Sequence, residues 1–229
     1  MELALLLDIF PEGVEELDGA FAVYADEAPI GFDVLKAKDA PEGWEDRWRE
    51  FHRPVRVGPL WVGPPWLEPP EDANAIVIDP GRAFGTGAHA TTRLCLELLV
   101  EFDRGSLLDV GCGSGVLAIA AARLGFQPVL AIDADPVAVE VASENARANR
   151  VDVEPTLADA LDDPLPAVDV VVANLTLHAV EALGGRLDSR LLVASGYMEQ
   201  EVPAPAGYRR LEHRAAEGWA ADVFARETE

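Results

Sequence analysis

The run Leu107-Leu108-Asp109-Val110-Gly111-Cys112-Gly113-Ser114-Gly115-Val116-Leu117-Ala118 constrains this chain more than any other stretch. A short apolar segment carries one acid, glycines follow at alternate positions, and an Ala/Leu/Ile pattern of helical character begins. That order predicts a buried parallel strand, a tight turn and the start of a helix. Glycines let the backbone approach a ligand that a Cβ would repel, and a helix start presents unpaired N–H groups. The spacing is G-x-G-x-G, distinct from the G-x-G-x-x-G of the dinucleotide fingerprint.

From Ser106 onward the sequence alternates strand and helix, as an α/β sheet requires. Strands are expected near 106–111, 128–133, 151–155, 168–174 and 189–196, and helices near 115–124, 136–149 and 177–186. The end of the chain, Tyr208–Arg214 and Trp219–Arg226 around Glu217-Gly218, reads as an antiparallel hairpin. Upstream, Ile76–Asp79 reads as a strand. The loop Pro80-Gly81-Arg82-Ala83-Phe84-Gly85-Thr86-Gly87-Ala88-His89-Ala90-Thr91-Thr92 follows, then an apolar helix from Arg93 to about Glu101. This loop is a second concentration of backbone donors at a helix start. The domains expected are a small lobe over 1–38, an aromatic and proline-rich linker over 39–72, and the main α/β unit over 73–229. The lobe should hold a short helix and one or two strands. In the linker, Trp44, Trp48 and Phe51 mark one helical face, Val55–Val62 forms a short edge strand, and Trp61 and Trp66 are packing anchors.

In an open parallel sheet the ligand lies beyond the C-terminal ends of the strands. Gly111, Gly113 and Gly115 fall there, as does Asp133, 22 positions after Gly111. An acid about 20 residues on can accept hydrogen bonds from a ribose diol. Asp135, just before Pro136, is the better cap for the next helix, which frees Asp133 for a ligand. Asn174, ending Val170–Ala173, faces the same crevice as a ligand contact or a cap, and Asp159 either borders an adenine or fills a turn. His89 is a loop residue, and His52, His178 and His213 receive no role. Cys112 sits where the turn needs a small side chain, not as a nucleophile.

With 41 acidic and 18 basic residues the net charge is −23. Such a field repels duplex nucleic acid and anionic membranes, and no nucleic-acid or membrane partner is expected. It serves either as a solvated, solubilising surface or as an attraction for a basic substrate. Two cysteines exclude a disulfide framework, and no His/Cys spacing suits a metal. A cytoplasmic protein is expected.

Leu108–Gly115 resembles the first motif of class I S-adenosylmethionine-dependent methyltransferases. Asp79-Pro80-Gly81-Arg82-Ala83-Phe84-Gly85-Thr86-Gly87, with His89, Thr91, Thr92 and Arg93, is more specific: it resembles the loop of the PrmA family, which methylates ribosomal protein L11. Val172-Ala173-Asn174-Leu175 resembles that family's segment after the fourth strand. The resemblance runs from about Trp44 to the C-terminus. It implies a Rossmann-like seven-stranded, mostly parallel sheet in which the last hairpin places an antiparallel strand. It implies S-adenosyl-L-methionine as donor, S-adenosyl-L-homocysteine as product and N-methylation of L11. Thr92, Gly111, Asp133 and Asn174 should contact the donor, joined in the same site by Asp109, Gly113 and Asp159, while Phe84, Gly85 and Thr86 close the pocket. Asn174 and Phe84 are the candidate catalytic residues. The chain departs from the family at Ala88, where a second histidine is common, and in its shortened N-terminal lobe, the family's acceptor-recognition unit. Another protein, a small molecule, or cofactor binding without transfer are the alternatives.

Overall fold

A computed structural model describes residues 14–17, 20–23, 53–71, 73–79, 85 and 87–227. Two strands near the N-terminus, β1 (Val14–Leu17) and β2 (Ala20–Val23), pair antiparallel. The expected N-terminal helix and the Trp44/Trp48/Phe51 face lie outside the described residues.

The aromatic segment builds more than the single edge strand expected. β3 (Val55–Val57) and β4 (Leu60–Gly63) turn on Gly58-Pro59 and pair antiparallel, and β5 (Asn74–Val77) adds parallel to β4. β5 precedes the Ile76–Asp79 window by two residues. Every residue of β4 is buried, and Trp61 is 5% exposed. Val57, Leu60, Val62 and Ile76 join the same apolar cluster as the helices described next.

The remaining elements are α1 (Ala90–Glu101), β6 (Leu107–Val110), α2 (Val116–Leu124), β7 (Val129–Asp133), α3 (Pro136–Asn149), β8 (Pro155–Leu157), β9 (Val168–Asn174), α4 (Leu177–Leu183), a 3₁₀ turn (Gly184–Arg186), β10 (Ser189–Met198), β11 (Tyr208–Ala216) and β12 (Trp219–Arg226). Seven strands form one sheet in the order β11-β12-β10-β9-β6-β7-β8. β12 runs antiparallel to both neighbours, and the pairs among β10, β9, β6, β7 and β8 are parallel.

β6 is buried at all four positions, so its alternating side chains feed two cores. Leu107 packs into the cluster with α1 and α2, and Leu108 and Val110 into the one with α4. Each such apolar side chain contributes ~1.5–3 kcal/mol of burial.

Two boundaries differ from the sequence reading. The strand expected at 151–155 lies at Pro155–Leu157, because Arg150 ends α3 in the left-handed conformation (φ 54°) and the chain then runs irregularly to β8. Helix α1 starts at Ala90, not Arg93. His89 caps it by accepting from Thr91 N, so the two threonines belong to the helix.

Candidate active site

The first connection departs from β6 towards β7 on one side, while β9 on the other side of β6 continues to β10. The crevice between the C-terminal ends of β6 and β9 is thus a topological switch point, the ordinary ligand position of an open α/β sheet. Val110 pairs with Ala173, so Gly111 and Asn174 are the next residues on adjoining strands.

Gly111, Gly113 and Gly115 all have positive φ (69°, 53° and 80°), a conformation that disfavours any side chain. A Cβ at Gly111 would also lie 2.5 Å from Leu175 Cδ2. Gly111 N and Cys112 N both donate to Ile132 O at 2.9 and 3.0 Å, which fastens the turn to the end of β7.

Asp133 ends β7 beside that turn. Its carboxylate accepts from Gly113 N and from Asp135 N, each at 2.9 Å. A carboxylate has about four lone-pair positions, so capacity for two more donors remains. Asp135, as the sequence suggests, caps α3 through Val137 N at 2.8 Å.

Asp109 sits beneath the turn rather than in the crevice. It is 1% exposed and accepts from Ala118 N at 2.9 Å. Helix α2 has Gly115 as its N-cap residue and no side-chain cap there, so Asp109 reaches across to satisfy the third N–H instead. Burial pushes its carboxyl up to about 7; the Ala118 bond opposes this and the Asp133 charge adds to it. Folded Asp109 therefore keeps a proton that the unfolded chain releases near pH 4. The stability this confers is complete below about pH 4 and is lost as pH rises through about 7. Relative to an Asp109→Asn variant, wild-type unfolding free energy should fall by up to ~4 kcal/mol from pH 4 to 8. Urea titrations of both proteins at several pH values check this; parallel pH profiles would contradict it.

On the far side of the crevice, Asn174 Nδ2 reaches Thr92 Oγ1 at 3.4 Å, from β9 to the first turn of α1. Thr92 is fully buried. The His89 ring meets Trp219 of β12 edge-on at 4.9 Å, and Arg93 donates to Ala88 O at 2.9 Å and pairs with Glu217 at 2.5 Å. Burial, then Arg93, lowers the His89 pKa, so its imidazole stays neutral at pH 7 and suits a capping acceptor.

Of the glycine-threonine loop, Gly85 lies against the turn and Gly87 against β4. Gly85 (φ 103°) has its carbonyl at 2.5 Å from Ser114 Oγ, and a Cβ at Gly87 would be 2.7 Å from Val62 of β4. Phe84 and Thr86 lie outside the described residues. Asp159, two residues past β8, is exposed and closes a turn by accepting from Leu161 N at 2.8 Å. Burial also raises the Cys95 thiol to about 12 and the Cys112 thiol well above its usual range, so neither is a thiolate at neutral pH.

The structure thus brings Thr92, Gly111, Gly113, Asp133 and Asn174 together, with Gly85 above and Asp109 below. Two polar residues passed over in the sequence also lie here, Ser114 and Asn145, with 1% and 5% exposure. The available signal was periodicity: Ala138, Ala142, Asn145 and Asn149 mark the buried face of α3.

Strand order, glycine turn and acid at the switch point define the class I methyltransferase fold. The model of one family, described as "Ribosomal protein L11 methyltransferase (PrmA)", matches residues 23–201. The chain belongs to that family. A Legionella pneumophila protein named ribosomal protein L11 methyltransferase is 39% identical over 202 residues, 81% of this chain and 69% of that one. One of the same name from Herpetosiphon aurantiacus is 49% identical over 142 residues, 60% of this chain and 43% of that one. The chain thus spans less than half the length of the latter. The crystal structure of a ribosomal protein L11 methylase from Lactobacillus delbrueckii subsp. bulgaricus superposes with a TM-score of 0.67 at 29% identity, over 77% of this chain and all of that one. Among the described residues no helix is long and apolar enough to cross a membrane.

Proposed function

We propose that this chain transfers a methyl group from S-adenosylmethionine to an amino group of ribosomal protein L11, in the cytoplasm. The observation that carries the reading is the meeting of Gly111, Asp133 and Asn174 at the C-terminal ends of three neighbouring strands, β6, β7 and β9. The residues suit an adenosyl group bearing a ribose diol. Asp133 has acceptor capacity for two hydroxyls, and the glycine turn admits close approach where a side chain could not enter.

When bound, the donor supplies a sulfonium-activated methyl group, so the protein needs no nucleophile of its own. Its residues have three tasks. Asp133, Gly111 and Gly113 hold the nucleoside, with Thr92 supporting Asn174 from α1. Gly85 lines the loop side, and the family resemblance assigns Phe84 and Thr86 to that same wall, an aromatic ring being suited to a positively charged sulfur. Asn174 orients the acceptor: its Nδ2 is directed at Thr92, which leaves Oδ1 to accept from the incoming amine. That amine must arrive neutral, and desolvation in the crevice together with the donor's positive charge lowers a lysine's pKa towards that form. In-line placement then supplies most of the acceleration.

Calorimetric titration with S-adenosylmethionine and with NAD tests the donor assignment. Binding of the first alone is expected, and binding of NAD alone would overturn it. Asn174→Ala is expected to lower turnover at least tenfold, as removal of a positioned hydrogen-bonding group does. Full turnover by that variant would remove Asn174 from the role.

A further inference from the structure

The two glycine-rich segments come from different parts of the chain, one before α1 and one after β6, and the site requires them to lie face to face. Ser114 joins them. Its Oγ donates to Gly85 O at 2.5 Å and accepts a longer bond from Val116 N at 3.4 Å. A Cβ at Gly85 would stand 3.0 Å from the same Oγ, so the contact is close on both sides.

Ser114 is itself anchored. Its carbonyl accepts from Asn145 Nδ2 at 2.9 Å, and Asn145 Oδ1 makes a long contact, 3.5 Å, with Asp79 N at the start of the loop. One buried side chain on α3 therefore touches both the glycine turn and the residue from which the loop departs. One turn further on, Asn149 accepts from Val77 N at 2.8 Å and donates to Val77 O at 2.6 Å. Asn149 fastens β5 to α3 and donates to Asn145 O at 2.8 Å, a backbone atom of the helix, while its other side-chain bonds run to Val77 rather than to the turn.

We propose that Ser114 and Asn145 are positioning residues that hold the Gly85 segment against the glycine turn and thereby set the affinity for the methyl donor. The inference rests on the reading that the turn receives that donor. Neither residue needs to touch the ligand. Their hydrogen bonds hold Gly85 at a fixed separation from the glycine turn, so that this contact need not be formed at the moment of binding.

The test compares Ser114→Ala, Asn145→Ala, their double variant and Asn149→Ala in the full-length protein. Two quantities are read: the dissociation constant for S-adenosylhomocysteine, and amide exchange of Gly85, Gly87 and Ala88 without ligand. One lost hydrogen bond predicts a five- to tenfold weaker complex for each of the first two variants and loop exchange faster by a similar factor, on the order of 1 kcal/mol. The double variant should be little worse than either single one, because both act on one contact path. Asn149→Ala should lower the melting temperature while leaving the dissociation constant within about twofold. Wild-type affinity and exchange in Ser114→Ala and Asn145→Ala would overturn the proposal, as would weakening by Asn149→Ala in proportion to its lost stability. If the wild type bound no donor, the donor reading would fail on its own, and loop exchange would still decide whether the latch exists.

Discussion

Asp133→Ala is expected to raise the dissociation constant for S-adenosylmethionine by at least about a hundredfold. Two charge-assisted bonds to ribose hydroxyls, each worth ~1.5–3 kcal/mol, are lost. The same carboxylate also accepts from Gly113 N and Asp135 N, so its removal releases the turn at Gly113 and the entry to α3. Asp133→Asn separates the two contributions. It retains an acceptor for one backbone N–H but loses the charge, and should fall between the wild type and alanine. Calorimetry on the three proteins checks the order, and unchanged binding in Asp133→Ala would contradict the assignment.

Gly196→Ala is expected to have the largest effect on stability. Gly196 is the residue at which the β10–β12 register shifts, and its φ is 100°. A Cβ there would lie 2.3 Å from Leu175 O and 2.7 Å from Leu175 C, backbone atoms that no rotamer change can move. Leu175 N is meanwhile held by Ser195 O at 2.8 Å. Relief of the clash must break this bond or shift β10 against β9, at a cost of ~3 kcal/mol or more. For a chain of this size that is a drop of roughly 6–12 °C in melting temperature. Because Leu175 follows Asn174, the surviving fold should also bind the donor less well. A thermal melt within about a degree of wild type would show that the close approach is not required.

Gly196 illustrates which features the sequence could disclose. A lone glycine in an apolar strand signals a bulge or a close approach but not the partner, and Leu175 is distant in sequence. The central elements were legible because their patterns are local. Val168–Asn174 was located to the residue by its apolar run, and Asp133 and Asn174 by their positions at strand ends. The antiparallel β12 followed from the family resemblance. Helix α1 was misplaced at its start because Thr91 and Thr92 read as loop, whereas a histidine cap and burial make them helical. The β3–β4 hairpin reads as a single edge strand because prolines interrupt its alternation, and the pairing of β4 with β5, Val62 with Ile76, depends on chain folding rather than on local pattern. Asp109 groups with the ligand contacts in sequence because it lies within the motif; its burial beneath the turn and its bond from Ala118 N are visible only in the fold.

The proposed transfer of a methyl group to ribosomal protein L11 is open to direct measurement. Purified enzyme, methyl-labelled S-adenosylmethionine and purified L11 from cells lacking this gene are combined, and the label is followed by mass spectrometry of L11 peptides. Label is expected on lysine side chains or the N-terminal amine of L11, reduced at least tenfold in Asn174→Ala. Unlabelled L11 in a reaction where the donor is demonstrably bound would contradict it.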